Sequence, residues 1–243
     1  MMANRLGKFG DWEIARRNYR KLAAWLALAS VTTMLATIGG TKDAAAEACP
    51  SGPVSVNGAA CTVTPGSTLI VTSAIVPSLS AVNPGASITA QGITVQLGPG
   101  AAPRNFVGAQ ALTGAAIELS GSTVITNQAG TGQRGVVVDG AGSQLTGVGL
   151  TITLGIGTTV SDNLAVLAQN GGFVSFTNTA VSTLGGVNGI ANHALTATGA
   201  GSSISFSGGT VSTASRGSFG VLAANGGVVT IGGGAQVTTT YLR

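Results

Sequence analysis

"GFVSFTNTAVST" occupies Gly172–Thr183, "GSSISFSGGTVST" occupies Gly201–Thr213, and "GGVVTIGGGAQVTT" occupies Gly226–Thr239. Each begins with Gly, passes through alternating apolar and small polar residues, and closes on Val, a small polar residue and Thr. Working back along the chain, the same frame gives "GSQLTG" from Gly142, "GAAIEL" from Gly114 and "GASITA" from Gly85. Successive copies, starting from Gly85, are 29, 28, 29, 30 and 25 residues apart when the last three are counted from Gly171, Gly201 and Gly226. "GSTLIV" from Gly66 reads as an irregular first copy. A second short strand follows most copies, centred on Ile125, Ile152, Val181, Val211 or Val237. A third precedes most of them, at 136–138, 165–167, 194–197 and 221–223.

A fixed period in this range marks a solenoid, propeller or array. A propeller blade needs four longer strands and about 40 residues. Three short strands in about 28 residues suit one coil of a parallel β-helix, with coils about 4.8 Å apart. Alternation then assigns the faces. Ile88, Ile117, Leu145, Val174, Ile204 and Val229 form one inward ladder. Ala90, Leu119, Gly147, Phe176, Phe206 and Ile231 form the next, with Phe176 and Phe206 expected as stacked rings. Thr89, Glu118, Thr146, Ser175, Ser205 and Thr230 face out. "NGG" at 170–172 and 225–227 reads as one turn used twice.

Composition agrees with an all-β chain. Of 243 residues 39 are Gly, and only 7% are charged. Val and Thr are abundant, which argues against disorder. The net charge is +4, and seven of the eleven basic residues lie in the first 42 positions: Arg5, Lys8, Arg16, Arg17, Arg20, Lys21 and Lys42. After residue 48 the basic residues are Arg104, Arg134, Arg216 and Arg243, and the acids are Glu118, Asp139 and Asp162. A nucleic-acid binder needs clustered cations, and no such cluster is present after residue 48.

The basic start leads into an apolar run, Leu22–Ile38, and then "GGTKDAAAEAC". This is the order of a secretory signal peptide. Residues 1–48 are expected to be a long, helical signal peptide, cleaved after Ala48 or after Ala46. The alternative is an uncleaved signal anchor. "RRNYRK" (Arg16–Lys21) resembles a twin-arginine export signal, and a basic leader with adjacent arginines explains it equally. Lipidation of Cys49 fits poorly, since Ala46 and Glu47 depart from the pattern. Cys49 and Cys61 are expected to pair in a disulfide, making residues 49–65 a stapled N-terminal cap before coils at 66–243. A reactive or metal-binding pair is the alternative, but no His is near it and Glu47 is the one acid beside it, too few ligands for a metal.

The long basic leader, the Cys49/Cys61 pair and the Gly/Ser/Thr/Val coils together resemble the N-terminal part of a bacterial autotransporter passenger of the pertactin-like kind, which implies a right-handed parallel β-helix. The resemblance covers almost the whole chain. It implies export to the periplasm of a Gram-negative cell, passage through an outer-membrane β-barrel translocator, and display at the cell surface or release. The expected role is non-enzymatic: adhesion to a host or abiotic surface, self-association, or spacing. Autotransporters end in a barrel of amphipathic strands; "TTTYLR" stops in mid-coil, so the expectation is a truncated passenger or a separate translocator.

The enzyme alternative is a carbohydrate-active β-helix, lyase or hydrolase, whose catalytic coils are missing, and a further alternative is a non-functional truncated product. Polysaccharide chemistry needs grouped carboxylates, whereas Glu118, Asp139 and Asp162 fall in separate coils. His193 is expected at a coil corner. "GTGQRG" (130–135) matches a nucleotide-loop pattern, yet precedes a strand where a helix is needed. Arg104, Arg134 and Arg216 read as isolated turn residues. No catalytic, metal or cofactor site is expected, and no small-molecule substrate is indicated.

Overall fold

The computed structural model describes residues 46–98, 105–121, 124–127, 130–155, 161–185 and 191–240. Residues 1–45 of the expected helical leader (1–48), Arg104 and Arg243 lie outside them, and Glu47–Ala48, at the end of that leader, is a strand. The described chain is a parallel β-solenoid of the right-handed type, about six coils of about 29 residues, with no helix.

Three stacked ladders build it, with strands numbered in chain order. The first face holds β1 (Glu47–Ala48), β3 (Ala60–Val63), β6 (Ser87–Gln91), β9 (Ala116–Ser120), β12 (Gln144–Val148), the front halves of β15 (Phe173–Leu184) and β17 (Ser203–Ala214), and β19 (Val228–Gly232). The second holds β4 (Thr68–Val71), β7 (Thr94–Leu97), β10 (Val124–Asn127), β13 (Thr151–Leu154), the rear halves of β15 and β17, and β20 (Gln236–Thr239). The third holds β2 (Val54–Asn57), β5 (Leu79–Val82), β8 (Val107–Leu112), β11 (Arg134–Asp139), β14 (Leu164–Gln169), β16 (His193–Thr198) and β18 (Val221–Ala224). Every pairing is parallel, as it must be when each strand bonds to its counterpart one coil away.

The register carries the expected ladders. Leu145 pairs with Ile117 and Val174, Val174 with Ile204, and Ile204 with Val229. Ile88, Ile117, Leu145, Val174, Ile204, Phe176 and Phe206 are all 1% exposed or less. Among the intervening residues, Thr89, Glu118 and Thr230 are exposed and Thr146, Ser175 and Ser205 half-buried. Burying this sustained apolar line drives the fold, at about 25 cal/mol per Å² of apolar surface.

Four expectations change. Phe176 and Phe206 are not stacked: their rings meet edge to face, 6.4 Å apart at 87°. The ring quadrupole favours this arrangement over a face-to-face sandwich. Val229 and Ile231 are only half-buried, because no described coil covers β19. "GSTLIV" belongs to the second face, since β4 pairs with β7; the first-face counterpart in that coil is Ala60–Val63, paired with β6. Within residues 49–65, β2 and β3 pair with β5 and β6. Finally, in two coils the first and second strands run together as the 12-residue β15 and β17.

Cys49 and Cys61 form a disulfide across this first coil. It ties β1 to β3, where Glu47 pairs with Cys61 and Ala48 with Thr62. A closed loop this short stabilises by about 3 kcal/mol on the chain-entropy account. Ala48, the expected cleavage point, lies inside β1, so cleavage there removes β1, and cleavage after Ala46 keeps it.

The "NGG" turns are alike. Asn170 and Asn225 have φ of 52° and 51°, and Gly171 and Gly226 have φ of 88° and 85°. Asn tolerates the left-handed region and Gly occupies it without strain. The third position is fixed differently: a Cβ on Gly172 or Gly227 would collide with the carbonyl of Val138 or Ala197.

Candidate functional site

The chemistry-bearing residues separate into three places. The first is the corner where the second face turns into the third. Arg134, Leu164 and His193 open β11, β14 and β16 and pair in that order. The sequence sets Arg134 apart as a turn residue, Asp162 in a coil apart from the other acids and His193 at a coil corner. The structure brings them together, because coil stacking superimposes positions about 29 residues apart. "GTGQRG" thus leads into a strand, as its position before "VVVDG" suggested.

Arg134 Nη1 donates to the carbonyl of Asp162 at 2.6 Å and to that of Gln133 at 3.2 Å. Burial pulls the guanidinium below its ordinary value, and the Asp162 carboxylate works against this. His193 Nδ1 accepts the backbone N–H of Phe219 at 3.0 Å, and the two rings lie 5.2 Å apart. Accepting there requires an unprotonated Nδ1. Burial lowers the imidazole's affinity for a proton, Asp162 raises it, and Arg134 lowers it. Phe219 is half exposed beside it.

Beneath this corner runs a buried polar ladder that the sequence reading missed. Asn163 Oδ1 accepts the N–H of Gln133 at 2.7 Å, and Asn192 Oδ1 accepts the N–H of Asn163 at 3.1 Å. Ser218 Oγ accepts the N–H of Asn192, and Asn192 Nδ2 donates to Ser215 Oγ. Gln133, Asn163 and Asn192 are fully buried. The corner turns the backbone away from its sheet partners, so buried N–H groups need side-chain acceptors. The signal was available: Asn163 and Asn192 stand 29 residues apart, each just before a third-face strand.

The second place is the outer corner between the third and first faces. Asp139 accepts from Gln169 Nε2 and Asn170 Nδ2, both at 2.8 Å. Both oxygens are engaged in holding one coil to the next. Asp139 ends β11 and Asp162 precedes β14, so the two carboxylates stay at different phases, as expected.

The third place is the outside of the first face. Glu118 pairs laterally with Thr89 and Thr146 and stands in a shallow groove with Ser87 and Gln144. Among the described residues no group of three or more His, Cys, Asp or Glu could hold a metal ion. Comparison with protein-family models, with curated proteins and with solved structures finds no match.

Proposed function

We propose that this chain is the passenger region of an exported protein, of autotransporter kind, displayed at the cell surface or released. It acts there without catalysis, in adhesion, self-association or spacing, and its translocation partner is an outer-membrane β-barrel. The observation that supports the reading is the outer surface of the first two faces. Small hydroxyl residues recur in register along both: Thr146, Ser175 and Ser205 on the first, Thr153, Ser182 and Ser212 on the second. Ser182 Oγ donates to Thr153 Oγ1 at 3.0 Å, continuing the ladder from coil to coil. Such an array offers many equivalent weak contacts, which gain strength through multivalency.

The test is expression of the complete reading frame in a Gram-negative host. Antibody binding to intact cells and loss of the epitope on external protease treatment are the expected results. A protein that stays protease-resistant until the cells are lysed overturns surface display.

A second reading is favoured by one observation, the convergence of Arg134, Asp162 and His193. A carbohydrate-active β-helix would use such a corner for proton transfer beside a cation. Incubation with pectin and related polymers, with and without Ca²⁺, decides it. New reducing or unsaturated ends that disappear in His193→Ala would replace the adhesive reading.

A further inference from the structure

We infer that the groove on the outside of the first face is a binding site for a neutral, extended polysaccharide running along the solenoid axis. The inference deepens the adhesive reading by naming its ligand class, and rests on that reading for its biological role. Four features carry it.

The groove crosses three successive rungs, β6, β9 and β12, and its polar lining is Ser87, Thr89, Glu118, Gln144 and Thr146. Hydroxyl, amide and carboxylate groups thus converge on one concave surface, the arrangement that orients a polyhydroxylated ligand. Glu118 is exposed, and no hydrogen bond or ion pair occupies it among the described residues. Its acceptor oxygens are therefore available to sugar hydroxyls, and hydrogen bonds to a charged group are the stronger kind.

Phe173 extends the site. It pairs with Gln144 one rung further along the same outward row, and it is 39% exposed. An aromatic ring on an otherwise hydroxyl-rich face offers a flat apolar platform to the C–H face of a pyranose. The rung repeat of about 4.8 Å is close to the advance of one pyranose along an extended chain. Successive sugars therefore meet successive rungs in similar geometry.

Competing occupants fit less well. A peptide strand needs a free sheet edge, and β6, β9 and β12 are each paired on both sides. A bound cation needs several oxygen ligands, and Glu118 supplies the sole carboxylate here. An anionic polymer would meet the Glu118 charge with no cation in the lining to offset it.

Native-gel retardation by galactomannan, hydroxyethylcellulose and dextran tests this on the purified protein, with polygalacturonate as the anionic comparison. At least one neutral polymer should slow the wild type. Phe173→Ser should weaken that retardation about tenfold and Glu118→Gln several-fold, while Ile75→Ala, at an exposed position outside both hydroxyl ladders, leaves it unchanged. The far-ultraviolet spectrum of each variant establishes that it is folded. No retardation by any neutral polymer, retardation unchanged in the folded Phe173→Ser and Glu118→Gln variants, or stronger retardation by polygalacturonate overturns the inference. Surface display is scored on the same variants. Loss of retardation with display intact removes this inference alone, and loss of display with retardation intact removes the display reading alone.

Discussion

Gly147 shows how a single residue makes room for an aromatic core. It pairs with Phe176 in the next coil, and it is buried. A Cβ placed on it would lie 2.7 and 2.8 Å from two atoms of the Phe176 ring and collide with Leu150. Gly147→Ala should therefore destabilise the protein by about 1–3 kcal/mol through overpacking, read as a lower midpoint in urea. An unchanged midpoint would mean that the ring relaxes freely. His193 makes a residue-scale statement about pH. Its folded-state proton affinity is lowered from the ordinary 6.5, first by burial. As pH falls below about 6.5, the unfolded chain takes up a proton that the folded chain resists. Stability is thus lost as pH falls from the ordinary value through the lowered one, the loss persists below it, and His193 has no effect at higher pH. Denaturation midpoints should fall on going from pH 7.5 to pH 5, and less so in His193→Gln. An equal fall in both proteins would place the pH dependence elsewhere.

Among elements, the corner before the third face depends on side-chain acceptors. The N–H of Asn163 has the Asn192 side chain as its acceptor, and Asn192 also reaches Ser215. Asn192→Ala orphans a buried donor, which costs about 1–3 kcal/mol. Hydrogen exchange should accelerate at Asn163 and in β14 and β16, more than in β3 and β6, several coils away. Uniform acceleration along the molecule would show a global loss of stability rather than a failing corner. The sequence revealed most of the strands here, because Gly-bounded alternating runs at a constant period leave few alternatives. It misassigned "GSTLIV", because Leu69 and Val71 alternate as a first-face strand would. Only pairing of β4 with β7 distinguishes the two.

For the whole molecule, stacking makes stability a sum over neighbouring coils. The central coils have partners on both sides. β18, β19 and β20 pair on one side only among the described strands, and Val229 and Ile231 are half-buried. Amides in β18–β20 should exchange faster than those in β9–β14, by local opening that leaves the rest folded. Equal protection would indicate that the end coil is covered in solution, as self-association would do.

The period, the inward ladders and the disulfide partners were legible in the sequence. Each depends on spacing along the chain, and a solenoid converts spacing directly into position. The tilt of Phe176 against Phe206, the room left by Gly147 and the meeting of Arg134, Asp162 and His193 were decided only by tertiary structure. These depend on side-chain direction and corner geometry, where residues of different strands and turns are superimposed by stacking. The groove lies between these cases. Its outward residues follow from alternation, but its concavity, and the exposure of Phe173 one rung beyond it, arise only when the coils are in place.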